Sequence, residues 1–241
     1  MHGNVPVDAE TLRAGRRGPM DGNEARQAGS PIRAAVFDLG GVILEISMDR
    51  TVQAWSEATG LEPEAIRGRL GDLPTGQADR TAYHRFERGE IDAETFRRGV
   101  CERLGRRLSQ EEFDRGWNAL LGGPIEGAEA LLESLARRLR LALLTNTNCI
   151  HAASWRRTCR KVLAPLERVF TSYEMGCRKP EPACFRRVLD YLALPPDEVL
   201  YFDDAPENVA AAAGVGMASR LVTGPKDVQR EIAALGISLK T

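Results

Sequence analysis

The segment AAVFDLGG, residues 34–41, decides the fold of this 241-residue chain. Four consecutive apolar residues precede Asp38, and Gly40 and Gly41 follow it after a single leucine. A short apolar run bounded by glycines is typical of a buried strand that ends in a tight turn. The segment therefore predicts a buried β-strand that delivers a carboxylate to the point where the strand ends.

Two later segments of the chain repeat this arrangement of an apolar run before polar residues. The runs are LALL at 141–144, followed by Thr145 and Asn146, and VLYF at 199–202, followed by Asp203 and Asp204. Helical segments are predicted between and after the strands, at 126–138, 182–192 and 206–213. Alternating strands and helices indicate an α/β fold, a Rossmann-like parallel sheet core with helices on both faces. Ligands of such sheets bind outside the carboxyl ends of the strands, where these polar residues are expected to lie.

The chain divides into three regions of different composition. Residues 1–30 contain few large apolar side chains and are predicted to be a disordered N-terminal extension. Residues 49–121 show helical spacing without a strong strand candidate, which predicts an all-helical cap subdomain. This cap is inserted into an α/β core formed by residues 31–48 and 122–241. Its aromatic residues, among them Trp55, Tyr83 and Trp117, can line a substrate pocket, although aromatics at helical spacing more often form a core.

The composition excludes several classes of partner. The 33 basic and 34 acidic residues nearly cancel, so no charge field is predicted that would recruit nucleic acid or an anionic membrane. No apolar stretch reaches the roughly 20 residues of a membrane span, and the five cysteines form no CxxC pair. We therefore expect a cytoplasmic monomer or homodimer that acts on a small molecule.

The polar residues at the strand ends match what the cleavage of a phosphate monoester requires. Asp38 can act as the nucleophile, because aspartyl-phosphate formation is a known covalent route. Asp203 and Asp204 supply hard oxygen ligands for Mg²⁺. Each residue alone has a simpler interpretation, since an aspartate after a strand often caps a turn or a helix.

Three further residues complete this predicted site. Lys179 offers a flexible positive charge that can hold the carboxylates and the phosphoryl group together. Thr145 and Asn146 can donate hydrogen bonds to phosphoryl oxygens. The order of these residues along the chain carries more weight than any one of them.

Four segments resemble, in the same order, the motifs of the haloacid-dehalogenase superfamily of hydrolases. They are VFDLGGVI at 36–43, LLTNTN at 143–148, RKPEP at 178–182 and YFDDAPENVAAA at 201–212. The resemblance extends from about Ile32 to Val222. With FERGEIDAETF at 86–96, the chain is most similar to the subfamily IA-like members with a helical C1 cap, and among them to the bacterial alpha-D-glucose-1-phosphate phosphatases.

The resemblance implies a role for each matched position. Asp38 would be the nucleophile and a metal ligand, Asp204 the main acidic ligand of Mg²⁺, and the Gly40 carbonyl a further ligand. Lys179 and Thr145 would bind the phosphate in catalysis, with Gly41 and Asn146 beside the substrate. The implied function is a Mg²⁺-dependent phosphatase of a small phosphorylated metabolite, with a sugar 1-phosphate as a candidate.

Gly40 departs from the superfamily pattern, in which a second aspartate two residues after the nucleophile protonates the leaving group. Loss of a positioned general acid ordinarily costs about 10²- to 10⁴-fold in rate. The sugar-phosphatase relatives also carry this glycine, so it does not imply inactivity. Glu45 is a candidate substitute, although an exposed structural carboxylate is the simpler interpretation. Asn208 likewise stands where the superfamily has a second acidic residue.

Two other functions compete with the phosphatase. A 2-haloacid dehalogenase would use the same aspartate without a metal, but the pair Asp203 and Asp204 would repel a carboxylate substrate. A non-catalytic protein of the same fold is the second alternative, and Gly40 motivates it. A phosphate-transferring mutase fits less well, because that chemistry relies on the missing aspartate.

Overall fold

The computed structural model describes residues 31–71 and 82–237, and every structural statement below concerns these residues. The predicted N-terminal extension therefore lies outside the described residues. The strands are β1 (Ala34–Phe37), β2 (Leu44–Ile46), β3 (Leu121–Pro124), β4 (Arg140–Thr145), β5 (Arg168–Thr171), β6 (Val199–Asp203) and β7 (Ala218–Leu221). The helices are α1 (Met48–Thr59), α2 (Pro63–Leu70), α3 (Ala82–Glu87), α4 (Ala93–Leu104), α5 (Gln110–Asn118), α6 (Ala128–Ala136), α7 (Cys149–Thr158), α8 (Ser172–Met175), α9 (Pro182–Leu192), α10 (Pro206–Gly214) and α11 (Pro225–Ala234).

Five parallel strands form the central sheet in the order β5-β4-β1-β6-β7. The segment that carries Asp38 is the central strand, and it pairs with the two other strands that the sequence predicts. In this register Phe37 lies opposite both Leu143 and Phe202, so all three strands end at the same edge. The predicted parallel α/β sheet is confirmed.

Side chains of β1 alternate between two hydrophobic cores, one on each face of the sheet. Ala35 and Phe37 pack with α6, α7 and α11, whereas Ala34 and Val36 pack with α9 and α10. All four residues are fully buried. A strand that is buried on both faces needs apolar residues at every position, which explains its uninterrupted apolar run.

The two edge strands, β5 and β7, were not predicted from the sequence. Strand β5 begins with the exposed Arg168, and β7 reads ASRL and is only partly buried. Charged residues on edge strands protect a sheet from pairing with other chains. Such charged residues also interrupt the apolar run from which a buried strand is predicted in a sequence.

Helices α1 to α5 follow one another between β2 and β3 and have a hydrophobic core of their own. Its centre is a stack of Trp55 on Trp117 with ring centroids 5.7 Å apart. Helix α4 begins at Ala93, where the Asp92 side chain caps it by accepting a hydrogen bond from the Thr95 backbone N–H at 2.8 Å. The antiparallel pair of β2 and β3, which was not predicted, connects this helical cap to the sheet.

Among the described helices, none has the length and apolar character that a membrane crossing requires.

The packing of the cap predicts opposite effects for two glycine-to-alanine substitutions. A Cβ at Gly116 would overlap the indole ring of Trp55, whereas a Cβ at Gly99 meets no atom within 4 Å. Gly99→Ala should therefore stabilise the protein by up to about 1 kcal/mol through helix propensity. Gly116→Ala should destabilise it by about 1–3 kcal/mol through overpacking. Urea unfolding followed by circular dichroism measures both, and a gain of stability in Gly116→Ala would contradict the packing.

Candidate active site

The carboxyl ends of β1, β4 and β6 bring the predicted site residues together. Asp38 follows β1, Thr145 is the last residue of β4, and Asp203 is the last residue of β6. The backbone N–H of Asp38 donates to the carbonyl of Phe202 at 2.8 Å, so the sheet hydrogen bonding extends to the aspartate itself. The position of Asp38 is therefore fixed by the backbone.

Lys179 connects two of these strand ends through its ammonium group. Its Nζ atom lies 2.7 Å from Asp38 Oδ1 and 2.7 Å from Asp203 Oδ2, and its side chain is 2% exposed. Burial alone would lower the pKa of Lys179, but Asp38 and Asp203 raise it above its ordinary value. The lysine is therefore a permanent cation that bridges two carboxylates.

Asp203 is saturated with hydrogen bonds from its surroundings. Besides Lys179, it accepts from the Tyr201 hydroxyl, from Asn208 Nδ2 at 3.0 Å and from the Ala205 backbone N–H at 2.8 Å. Burial raises the pKa of Asp203, but Lys179 and these donors outweigh it, so the net pKa falls below the ordinary value. This carboxylate is well placed to hold Lys179 and has little capacity left for a metal ion.

Asp38, Asp203 and Asp204 form a cluster whose ligand atoms lie within 4.8 Å of one another. Three carboxylates face one ammonium group, which leaves an excess of negative charge. Burial raises the pKa of Asp38 to about 7, and Lys179 opposes that rise. Burial and Asp203 also raise the pKa of the exposed Asp204. A divalent cation with hard oxygen ligands fits this cluster, because it would neutralise the excess charge.

The two glycines that follow Asp38, Gly40 and Gly41, have different surroundings. Gly41 has a φ of 72°, and a Cβ there would overlap the carboxylate of Asp204. Only glycine allows the loop to approach Asp204 this closely. A Cβ at Gly40 would lie 3.2 Å from Ile46 Cδ1, so the Ile46 side chain covers this position. An apolar group therefore lies beside the position where the superfamily pattern has an acid.

Asn146 has a different role from the one expected of its side chain. Its Oδ1 accepts the Lys179 backbone N–H at 2.8 Å, and its Nδ2 donates to the Lys179 carbonyl at 2.9 Å. These two bonds fix the backbone of the lysine. The Asn146 amide is thereby occupied. The Thr145 hydroxyl next to it makes, within the described residues, a single long hydrogen bond of 3.4 Å to the Asn146 carbonyl.

A cavity of about 690 Å³ lies over these residues, between the sheet and the cap. The core lines it with Asp38, Thr145, Lys179 and Asp204, whereas Tyr83, Glu87 and Trp117 line it from the cap. Trp117 thus belongs both to the core of the cap and to the cavity wall. Glu45, the candidate substitute acid, is exposed and lies 3.9 Å from Arg50; it is not among the residues that line the cavity.

The cavity contains an ion pair that the sequence did not reveal. Arg178 Nε donates to Glu87 Oε2 at 2.8 Å, and Glu87 is 2% exposed. The Tyr83 hydroxyl also donates to Glu87. Burial raises the pKa of Glu87, and the Arg178 guanidinium opposes the rise. The two partners are 91 positions apart in the sequence, so no local pattern revealed this pair, although each partner lies in a segment that the sequence singled out.

His151 fixes the wall of the cavity from the core side. Its ring stacks on Trp117 at 4.8 Å between centroids, and its Nε2 lies 3.1 Å from the Trp117 carbonyl. Its Nδ1 faces the Asn148 side-chain nitrogen at 3.2 Å, which assigns the neutral tautomer with the proton on Nε2. Burial lowers the pKa of His151 to about 4.

Comparisons with known proteins identify the family to which the chain is similar. A family model described as haloacid dehalogenase-like hydrolase matches residues 32–216. The D-ribitol-5-phosphate phosphatase of Bacteroides thetaiotaomicron is 27% identical over 218 residues, which cover 85% of this chain and 98% of the relative. A phosphatase of Mycobacterium tuberculosis is 26% identical over 212 residues, 86% of this chain and 97% of the relative.

A solved structure extends the comparison to ligands. A HAD family enzyme from Bacteroides thetaiotaomicron, crystallised with magnesium and inorganic phosphate, superposes with a TM-score of 0.68. It is 27% identical, and the match covers 79% of this chain and 93% of that chain.

The lowered pKa of His151 predicts a pH-dependent loss of stability. The unfolded chain binds a proton at this histidine near pH 6.5, whereas the folded protein does so only near pH 4. Stability should therefore fall as the pH drops through this window, by at most about 3 kcal/mol. His151→Gln has no imidazole to protonate, so it does not show this loss. The amount by which its Tm lies below that of the wild type should therefore be smaller at pH 4.5 than at pH 7. A constant difference in Tm would contradict the neutral, buried histidine.

Proposed function

The chain belongs to the haloacid dehalogenase-like hydrolase family, and we propose that it is a Mg²⁺-dependent phosphatase of a small phosphomonoester. The observation that carries the proposal is the arrangement of Lys179, 2.7 Å from Asp38, beside the exposed carboxylate of Asp204. It combines a fixed nucleophile, a cation for phosphoryl oxygens and an acidic cluster. The phosphatases among its relatives and the neighbour that binds magnesium and phosphate support the same function.

In this proposal Asp38, Asp204 and the carbonyl of Gly40 hold the metal ion. When bound, Mg²⁺ supplies positive charge that offsets the carboxylates and the phosphate. Asp203 keeps Lys179 in place, since its own oxygens already accept several donors.

The chemistry then uses groups of this chain. A carboxylate oxygen of Asp38 attacks phosphorus and forms the aspartyl phosphate, while the bond from phosphorus to the leaving oxygen breaks. The Lys179 ammonium and the Thr145 hydroxyl stabilise the charge on the phosphoryl oxygens. Water then hydrolyses the aspartyl phosphate and releases inorganic phosphate and free Asp38.

The environment of Gly40 favours a sugar 1-phosphate as substrate. No acidic side chain stands at position 40, and Ile46 covers it. The leaving oxygen then departs with little proton assistance, so its own acidity controls the first step. An anomeric hydroxyl is a better leaving group than a primary alcohol, because the ring oxygen withdraws charge from it.

The 2-haloacid dehalogenase alternative fits the site less well. Its substrate is a carboxylate, and Asp203 and Asp204 would repel it beside Asp38. The same cluster favours binding when a divalent cation and a phosphate bind together, because the carboxylates then attract the cation.

A first experiment tests the metal and the nucleophile together. Hydrolysis of p-nitrophenyl phosphate should require added Mg²⁺ and should cease in excess chelator. Asp38→Asn, which is nearly isosteric, should lower kcat at least about 10³-fold with little effect on Tm, because it removes the attacking charge. Asp204→Asn should raise the Mg²⁺ concentration needed for half-maximal activity. Full activity in chelator would exclude the metal assignment, and retained activity in Asp38→Asn would exclude the nucleophile.

A second experiment tests the consequence of Gly40. We expect kcat/KM for glucose 1-phosphate to exceed that for glucose 6-phosphate under saturating Mg²⁺. In Gly40→Asp the gap should narrow if Ile46 moves aside, and the double variant with Ile46→Ala provides the required space. A clear preference of the wild type for the 6-phosphate would show that another acid protonates the leaving oxygen.

A further inference from the structure

Two cysteine side chains meet inside the core, although no CxxC pair exists in the sequence. The Cys184 thiol donates a hydrogen bond to the sulfur of Cys177, and the two Sγ atoms are 2.9 Å apart. Both residues are buried in the hydrophobic core that the sheet forms with α9 and α10. A disulfide joins its sulfurs at about 2.05 Å. The two sulfurs therefore need to approach by only roughly 0.9 Å to form one.

The backbone between the two cysteines is folded into consecutive turns. The Glu181 N–H donates to the Arg178 carbonyl at 2.9 Å, and the Cys184 N–H donates to the Glu181 carbonyl at 3.1 Å. These turns bring together the two ends of the segment 177–184, which we call the lysine loop because it contains Lys179. A bond between the sulfurs would close this loop into a covalent ring.

We propose that Cys177 and Cys184 form an oxidation site, at which a peroxide converts the two thiols into a disulfide that displaces Lys179 and lowers the activity of the enzyme. The formation of the bond is independent of the proposed phosphatase activity, whereas its consequence for the rate rests on that activity.

The surroundings of the two sulfurs assign the order in which they react. Burial and the hydrogen bond to Cys177 raise the pKa of Cys184 well above its ordinary value, so Cys184 keeps its proton and directs it at Cys177. Cys177 also has 4% of its surface exposed, whereas Cys184 has 0%. Cys177 is therefore the sulfur that meets the oxidant. Hydrogen peroxide, which is little larger than water, suits so small an opening.

The oxidation takes two steps. The Cys177 thiolate attacks one oxygen of hydrogen peroxide, the O–O bond breaks, and the departing hydroxide takes up the Cys177 proton as water, which leaves a sulfenic acid. The Cys184 sulfur then attacks the Cys177 sulfur, and the displaced hydroxyl group leaves with the Cys184 proton as a second water. Two thiols and one peroxide thus give one disulfide and two waters, with sulfur oxidised and the peroxide oxygens reduced.

The disulfide acts on the site through the lysine loop. Cys184 lies in the first turn of α9, and its burial anchors it, so Cys177 and the residues after it take up the movement. Lys179 follows within this loop, and its Nζ atom lies 2.7 Å from both Asp38 and Asp203. A displacement of about 1 Å in a positioning group can cost about 10²-fold in rate. We therefore expect the disulfide to lower kcat at least about tenfold.

Oxidation of the purified protein tests the bond directly. After treatment with hydrogen peroxide, peptide mapping by mass spectrometry should find Cys177 joined to Cys184, with the loss of two hydrogen atoms. Dithiothreitol should restore both thiols. Absence of this cross-link would overturn the inference, whatever the activity of the protein.

The same samples show the consequence for the rate. The kcat for p-nitrophenyl phosphate under saturating Mg²⁺ should fall at least about tenfold on oxidation and recover with dithiothreitol. Full kcat in the cross-linked protein would overturn the inference, because Lys179 would then have kept its place.

Cys177→Ala removes the sulfur that reacts first. Neither cysteine lines the cavity, so the variant should keep the kcat of the reduced wild type. It should also keep that kcat after peroxide treatment, because Cys184 alone is buried and protonated. A loss of kcat equal to that of the wild type would overturn the inference. If the variant fails to fold, the cross-link and kcat of the wild type still decide.

Cys149→Ser is the matched control. Cys149 is exposed at the start of α7, so peroxide reaches it more easily than the buried pair. The control should form the same cross-link and lose the same activity as the wild type. Resistance to peroxide in Cys149→Ser would assign the loss to the exposed thiol and overturn the inference.

The outcomes separate the two proposals. Absence of p-nitrophenyl phosphate hydrolysis by the reduced wild type would overturn the proposed function, and the peptide map would still decide whether the two cysteines form the oxidation site. Hydrolysis that peroxide leaves unchanged would overturn the inference alone.

Discussion

The bridge from Lys179 to Asp38 and Asp203 is the interaction on which the rest of the site depends. It pairs one buried ammonium group with two carboxylates, next to the exposed carboxylate of Asp204, and a buried charge is tolerated only when it is paired. The neighbours serve this bridge: Asn146 fixes the lysine backbone, and Tyr201 and Asn208 donate to the carboxylate behind it. The excess negative charge that remains is what makes a divalent cation fit.

The sequence predicted the parts of the site that lie at the ends of apolar runs. Asp38, Thr145 and Asp203 follow buried strands, and the confirmed parallel sheet brings these strand ends to one edge. The sequence could not predict the hydrogen-bond partners of Asn146, because a side-chain amide binds backbone groups as readily as it binds a ligand. The pairing of Glu87 with Arg178 depends on how the cap sits on the core, and no local pattern encodes that.

The loop that carries Lys179 belongs to the core and also contacts the cap. Arg178, just before the lysine, binds Glu87, and Glu181, just after it, binds Arg88. Both cap residues stand at the end of α3. The phosphate end of the site and the wall that faces the leaving group are therefore held by the same few residues. A change in the cap that moves α3 acts on both.

The central position of β1 determines when during synthesis the site can form. Both neighbours of β1 in the sheet come much later in the chain; Arg33 and its ion-pair partner Glu198, at the start of β1 and just before β6, are 165 positions apart. At about 5–20 residues per second, a ribosome needs roughly 8 to 33 seconds to make that span. Until β4 and then β6 are made, this apolar strand lacks a partner on one or both of its edges, which is the kind of segment that chaperones protect. A nascent chain that lacks β6 has Asp38 but neither of the two aspartates that complete the cluster.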